Sequence, residues 1–167
     1  MTDTSASLRT HYLTVLLGDD LYAITLGAVK DIRGSGTVQP LRGVPDYVAG
    51  RLAHALGPMP LVDLRRRIGL SAQAGVGPAV TVVLERSGQR LAVLADAVAE
   101  VVDLGIADEP AASSEEPDAR ADLAWLKGAA AAGERMVLML DPDQLIVPAD
   151  RAAVQAAMAA AETARAA

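Results

Sequence analysis

Residues 47–63, YVAGRLAHALGPMPLVD, and residues 125–141, WLKGAAAAGERMVLMLD, carry one pattern twice. In each, an aromatic residue is followed three positions later by glycine, and thirteen positions after that by an aspartate that ends an apolar run. Aromatics are scarce in this chain, with one Trp, three Tyr and no Phe, so the match of Tyr47 with Trp125 carries weight. The pattern predicts two similar lobes. In each lobe the aromatic (Tyr47, Trp125) anchors a turn and the glycine (Gly50, Gly128) permits a close backbone approach. A strand then runs to a capping aspartate (Asp63, Asp141).

Each block follows a predicted hairpin. Tyr12 to Leu17 and Leu21 to Leu26 flank Gly18-Asp19-Asp20, with Gly18 at the turn. Ala79 to Glu85 and Gln89 to Leu94 flank Ser87-Gly88. Val29 to Arg33, Met59 to Val62, Val98 to Leu104 and Glu134 to Leu140 read as further strands, and Pro45 to Ala49 as one helical turn. Asp63 caps a brief helix through Arg67, which Gly69 stops. The acidic, Ala/Ser/Pro-rich stretch from Asp108 to Asp122 reads as a loop or linker. From Asp150 onward the chain is alanine-rich and helix-forming, with Val154, Met158 and Ala161 on one face turned to its own protein. Many short strands separated by turns predict small barrels.

The 167 residues are enough to bury a core without staples. With no cysteine there is no disulfide framework and no thiolate nucleophile, which suits a reducing compartment. Mean hydropathy is +0.27. It comes mostly from alanine, and the sequence has neither an 18-residue apolar run nor an apolar segment in residues 1–10, so we expect no membrane insertion and no secretory signal. Net charge is −6 and so few rings are present that nucleic-acid binding is not expected. The basic cluster Arg65-Arg66-Arg67 reads as a solvated helix face.

No constellation for catalysis stands out. His11 and His54 are 43 residues apart with no metal-ligand spacing, and His54 reads as an ordinary structural or exposed histidine. Gly34-Ser35-Gly36 is a turn rather than a nucleophile elbow, and Gly75-Val76-Gly77-Pro78 is too short to cradle a nucleotide. Asp141-Pro142-Asp143 lacks the other ligands of a calcium loop, and Asp19-Asp20 lies on a hairpin tip. No catalytic residue, cofactor or metal is expected.

Three stretches resemble the CheW family of chemotaxis coupling proteins. LGDDLYAITLGAVKDIRG, residues 17–34, matches its leucine-glycine turn, acidic residues, tyrosine, alternating strand and acidic-isoleucine pair at Asp31-Ile32. VPDYVAG together with PLVDLRRRIGL, residues 44–50 and 60–70, keeps its spacing from glycine to a Pro-x-x-Asp-Leu strand. WLKGAAAAGERMVLMLDPDQLI, residues 125–146, resembles its aromatic-x-x-Gly segment and closing strand. The resemblance implies a mainly β fold of two five-stranded Src-homology-3-like barrels side by side, intertwined over residues 11–147. A flexible N-terminus of residues 1–10 and a C-terminal helix of residues 148–167 complete the expected layout. It implies a non-catalytic cytoplasmic adaptor, recruited to chemosensory arrays, that joins methyl-accepting chemoreceptors to the regulatory domain of a CheA-type histidine kinase, with other CheW-like proteins as further partners. Val29, Asp31 and Ile32 match the kinase-binding region. The receptor-side signature Asn-Leu-Arg-Gly falls on Ala53-His54-Ala55-Leu56. The chain thus lacks a bidentate, always-charged guanidinium there, which admits a second reading, an adaptor that binds kinase or another CheW-like protein but not a standard receptor tip. An enzyme or small-ligand protein on a borrowed fold is a third.

Overall fold

Apolar residues alternate along the first hairpin, and the alternation lets one strand feed two cores. Leu13, Val15 and Leu17 line the larger core, while Tyr12 and the neighbouring Leu16 line a smaller one. The protein, a computed structural model, is described over residues 9–34, 36–69, 79–86, 88–105 and 125–166. The strands are β1 (Arg9–Leu17), β2 (Asp20–Thr25), β3 (Val29–Arg33), β4 (Val38–Gln39), β5 (Val48–Leu52), β6 (Met59–Asp63), β7 (Val80–Arg86), β8 (Gln89–Ala95), β9 (Ala97–Gly105), β10 (Leu126–Ala132) and β11 (Arg135–Leu140). Helix α1 (Leu64–Arg67) follows β6, and α2 (Pro148–Ala166) closes the chain. Strand β1 begins at Arg9, inside the stretch expected to be a flexible N-terminus, and residues 1–8 lie outside the described residues, as does the acidic stretch 108–122.

Lobe 1 is the sheet β10-β11-β2-β1-β9, and lobe 2 is the sheet β3-β7-β8-β6-β5-β4. Setting aside the two-residue β4, lobe 2 read as β5-β6-β8-β7-β3 has the order of lobe 1. Each lobe holds an antiparallel hairpin joined in parallel to the last strand of the repeated block, β11 on β2 and β6 on β8. The strand after each hairpin crosses over: β3 leaves β1–β2 for the edge of lobe 2, and β9 leaves β7–β8 for the edge of lobe 1. Lobe 2 therefore has six strands rather than the five expected, the extra one being β4 paired to β5.

The repeated sequence has a repeated geometry. The β5–β6 ladder slips between Val48 and Gly50, and the β10–β11 ladder slips between Leu126 and Gly128. A bulge of this kind bends the strand where the glycine stands. At Gly50 a Cβ would sit 2.5 Å from the Gln39 carbonyl oxygen, so only glycine fits there. The Asp63 N–H donates to the Tyr47 carbonyl (2.7 Å), and the Asp141 N–H donates to the Trp125 carbonyl (2.8 Å). Each aspartate then caps the next turn: Asp63 Oδ1 accepts from the Arg65 N–H (3.1 Å), and Asp141 Oδ1 from the Asp143 N–H (3.0 Å). Residues 45–49 are not the helical turn expected; the Val48 N–H bonds the Pro45 carbonyl (3.0 Å) and β5 begins at once.

The largest core lies between the lobes, built from Leu13, Val15, Tyr22 and Ile24 on one side and Val62, Val82, Leu84 and Val93 on the other, with Trp125 and Leu145. Smaller clusters fill lobe 1 (Tyr12, Leu21, Val137, Met139) and lobe 2 (Leu52, Met59, Leu61, Val83).

Polar ties cross the same boundary, and they correct the reading of the arginine cluster as a solvated face. Arg67 is buried. Its Nε donates to the Leu145 carbonyl (2.7 Å), an NH2 donates to the Gln144 carbonyl (2.9 Å), and the guanidinium lies 5.2 Å from the centre of the Tyr47 ring. Arg65 forms a two-point pair with Asp96, whose carboxylate also accepts from the Gly18 N–H (2.8 Å) at the first hairpin turn. Arg66 alone is exposed.

The Arg65 hydrogen bond holds the Asp96 carboxyl below its usual range, and the Gly18 N–H adds to the effect. A carboxyl whose folded-state value lies below the unfolded one stabilises fully above the unfolded value, and that stability is lost as pH falls through the folded value. Asp96→Asn is therefore expected to flatten the acid limb of a stability-against-pH curve, measured by urea unfolding, and to leave its shape above about pH 5 unchanged. An unaltered acid limb would count against this role.

Candidate functional site

Strand β3 is an edge of lobe 2, and edge strands leave main-chain donors and acceptors free for a partner. Its ladder with β7 slips between Val29 and Asp31. Before the slip, Val29 is half-buried and packs against the shared core. After it, Asp31 is half-exposed, and Ile32 is 43% exposed. Of the three residues expected on the kinase side, Asp31 and Ile32 reach the surface, whereas Val29 serves the core.

The segment expected on the receptor side comes after β5. Ala53, Ala55 and Leu56 are exposed. The His54 side chain is 5% exposed. The Ala53 N–H donates to the Thr37 carbonyl (3.2 Å), and the Gly57 N–H to the His54 carbonyl (2.9 Å). The imidazole is engaged at both nitrogens: Nδ1 accepts from the Leu56 N–H (3.0 Å), and Nε2 lies 2.8 Å from Asp31 Oδ2. Since Nδ1 accepts, the hydrogen-bond network assigns the ring proton to Nε2, which donates to the carboxylate.

The two expected surfaces are thus one surface, joined by Asp31 and His54. The bond from His54 holds the Asp31 carboxyl below its usual range, with the Ile32 N–H (2.9 Å) and the nearby Arg33 guanidinium acting in the same direction. On the loop's other side, Arg90 donates to the Leu56 carbonyl (2.7 Å) and to Glu85 (2.5 Å). Of the five large apolar residues left exposed among the described residues, two adjoin this junction: Ile32, whose N–H bonds the Asp31 carboxylate, and Leu56, whose N–H bonds the His54 ring. A half-buried carboxylate–imidazole pair with exposed apolar side chains beside it suits a protein interface. The junction spans 23 positions of sequence, and no local pattern announces it.

The remaining expected residues hold the frame. Gly18 adopts φ 64° in a two-residue turn between Leu17 and Asp20. Tyr47 Oη donates to Asp150 Oδ2 (2.7 Å) and accepts from the Val147 N–H (3.2 Å). Burial first, and then that bond to Asp150, push its phenol up to about 12. Gly50 and Gly128 stand at the two bulges, Asp63 and Asp141 cap the turns beyond them, and the Trp125 carbonyl accepts the closing bond of its block.

A family model described as the CheW-like domain matches residues 11–149. The chain belongs to the CheW-like family. Among curated CheW-like relatives, the chemotaxis protein CheW of Klebsiella aerogenes is 30% identical over 149 residues, covering 86% of this chain and 85% of its own. The chemotaxis protein CheW of Rhizobium meliloti is 26% identical over 140 residues, covering 82% and 87%. The crystal structure of the scaffolding protein TtCheW from Thermoanaerobacter tengcongensis has the same fold, with a TM-score of 0.72 at 20% identity over 83% of this chain and 92% of that one. The mainly β, two-barrel CheW-like architecture with a C-terminal helix is therefore as expected from sequence. Members of the CheW-like family are non-catalytic scaffolds, and the chain is one of them. No helix among the described residues is long and apolar enough to cross a membrane.

Proposed function

We propose that the chain is a cytoplasmic coupling adaptor of a chemosensory system that binds the regulatory domain of a CheA-type histidine kinase through β3 and the loop 53–56. The observation that carries this reading is the Asp31–His54 bond, which joins both candidate segments, with exposed Ile32 and Leu56 beside it. Calorimetry against the cognate kinase domain tests it. Asp31→Lys is expected to weaken binding by roughly ten-fold or more, as charge reversal within an interface does. Asp31→Asn keeps an acceptor for His54 and is expected to weaken binding less. Equal affinity of all three proteins would remove Asp31 from the interface, and absence of binding by the wild type would remove the kinase.

A second reading concerns the receptor. Ala55 and Leu56 are both exposed where the family signature has arginine and glycine, so a receptor group that pairs with that arginine would be left desolvated and unpaired, at a cost of about 1–3 kcal/mol. Weak recruitment to receptor arrays is expected for the wild type. Ala55→Arg with Leu56→Gly is expected to raise it, and Ala55→Arg alone to do less. Localisation and pulldown in the host would compare them, and full recruitment of the wild type would defeat this reading.

A further inference from the structure

Helix α2 is tied down at its start and overhangs lobe 2 beyond it. Asp150 holds Tyr47, Arg151 donates to the Asp143 carbonyl, and Val154 is buried. Further along, Gln155, Ala159 and Glu162 are exposed. Beneath the overhang, between α2 and the β7–β8 hairpin, lies a cleft of about 640 Å³. Its floor is apolar, with Leu91, Ile146, Val154 and Met158. At one end the Arg86 and Arg151 guanidiniums converge on a single residue: Arg86 pairs with the Asp143 carboxylate (2.9 Å), while Arg151 takes the main-chain carbonyl of the same residue.

We propose that this cleft binds an elongated amphipathic anion, a straight-chain carboxylate or its alkyl sulfate equivalent. The tail runs along α2 over Met158, and the head group meets Arg86 and Arg151. Three features fix the class. The volume lies within the range of small-molecule sites. The lining residues of α2 run from Arg151 to Glu162, roughly 16 Å of helix at 1.5 Å per residue, so the site is long rather than round. Two guanidiniums stand against one carboxylate at the mouth, Arg86 on the Asp143 carboxylate and Arg151 on its main-chain carbonyl, which leaves an excess of positive charge there on a chain of net charge −6. The Arg86–Asp143 pair is 43% exposed on both sides, so it is weak, and a second anion shares its arginine at little cost. Glu162, at the other end of the lining, repels the head group and sets the orientation.

Decanoate, below its micelle-forming concentration, is the probe, titrated into the full chain by calorimetry. Saturable one-to-one binding is expected. Arg86→Gln is expected to weaken it roughly ten-fold, as loss of a charge-assisted contact does. Met158→Trp, which fills the cleft, is expected to abolish it with the unfolding midpoint retained. If that variant folds poorly, Ala159→Glu replaces it: an exposed helical position accepts glutamate, and the added carboxylate beside the tail is expected to remove binding too. Decyltrimethylammonium, with the same tail and opposite charge, is expected not to bind. No saturable binding of decanoate, equal binding of the cation, or indifference to both cleft variants would each overturn the proposal.

Discussion

Trp125→Ala is expected to destabilise the protein by about 3–5 kcal/mol, read as a lower urea midpoint at an unchanged slope. The indole is 5% exposed and belongs to the core shared by both lobes. It is tilted against Tyr22 at a centroid distance of 6.3 Å. Because the carbonyl of residue 125, not its side chain, accepts the closing bond from Asp141, alanine keeps that bond and the loss isolates packing. Trp125→Phe, which restores most of the ring volume, is expected to recover much of the stability. A loss below about 1 kcal/mol for the alanine variant would mean that the boundary between lobes contributes far less than a packed core does.

Arg67→Ala comes next, with an expected loss of about 2–4 kcal/mol. Two main-chain carbonyls, of Leu145 and Gln144, would lose their guanidinium donors in a place where water does not readily replace them. The Tyr47 ring would lose the cation stacked on it. Arg67→Met separates packing from the polar contributions, since it keeps an apolar stem over Tyr47 and removes both the donors and the cation. It is expected to fall between wild type and alanine. If methionine equals or exceeds the wild type in urea unfolding, the arginine is not a net stabiliser.

The features legible in the sequence are those set by local rules. An aromatic, a glycine and an aspartate at fixed spacing specify a bulge, a closing hydrogen bond and a cap, and all three recur in both lobes. The hairpin at Gly18 and the cap at Asp63 follow from turn and helix chemistry alone. Strand β10 is not legible: Ala129 to Ala132 are strong helix formers, and only pairing with β11 holds them extended. The role of Arg67 is hidden because a cluster of three arginines resembles a solvated face until Leu145, 78 positions away, presents its carbonyl. The Asp31–His54 junction is hidden for the same reason. Each half lies in a segment singled out by resemblance, but the bond between them belongs to tertiary structure.

The exchange of β3 and β9 between the lobes sets an order of events at the ribosome. All of lobe 2 lies in one continuous stretch, residues 29–95, whereas lobe 1 needs β1 and β2 from the start of the chain and β9 to β11 from its end. Leu21 finds its parallel partner only when Val137 has been made. During synthesis the first hairpin must therefore wait, both strand edges bare, while lobe 2 is completed beside it, and the β2 edge stays bare until β11 is made. Contacts between residues so far apart in sequence slow folding, and a waiting edge is open to wrong partners. Nascent chains halted before residue 126 would hold one finished lobe and one that chaperones have reason to guard.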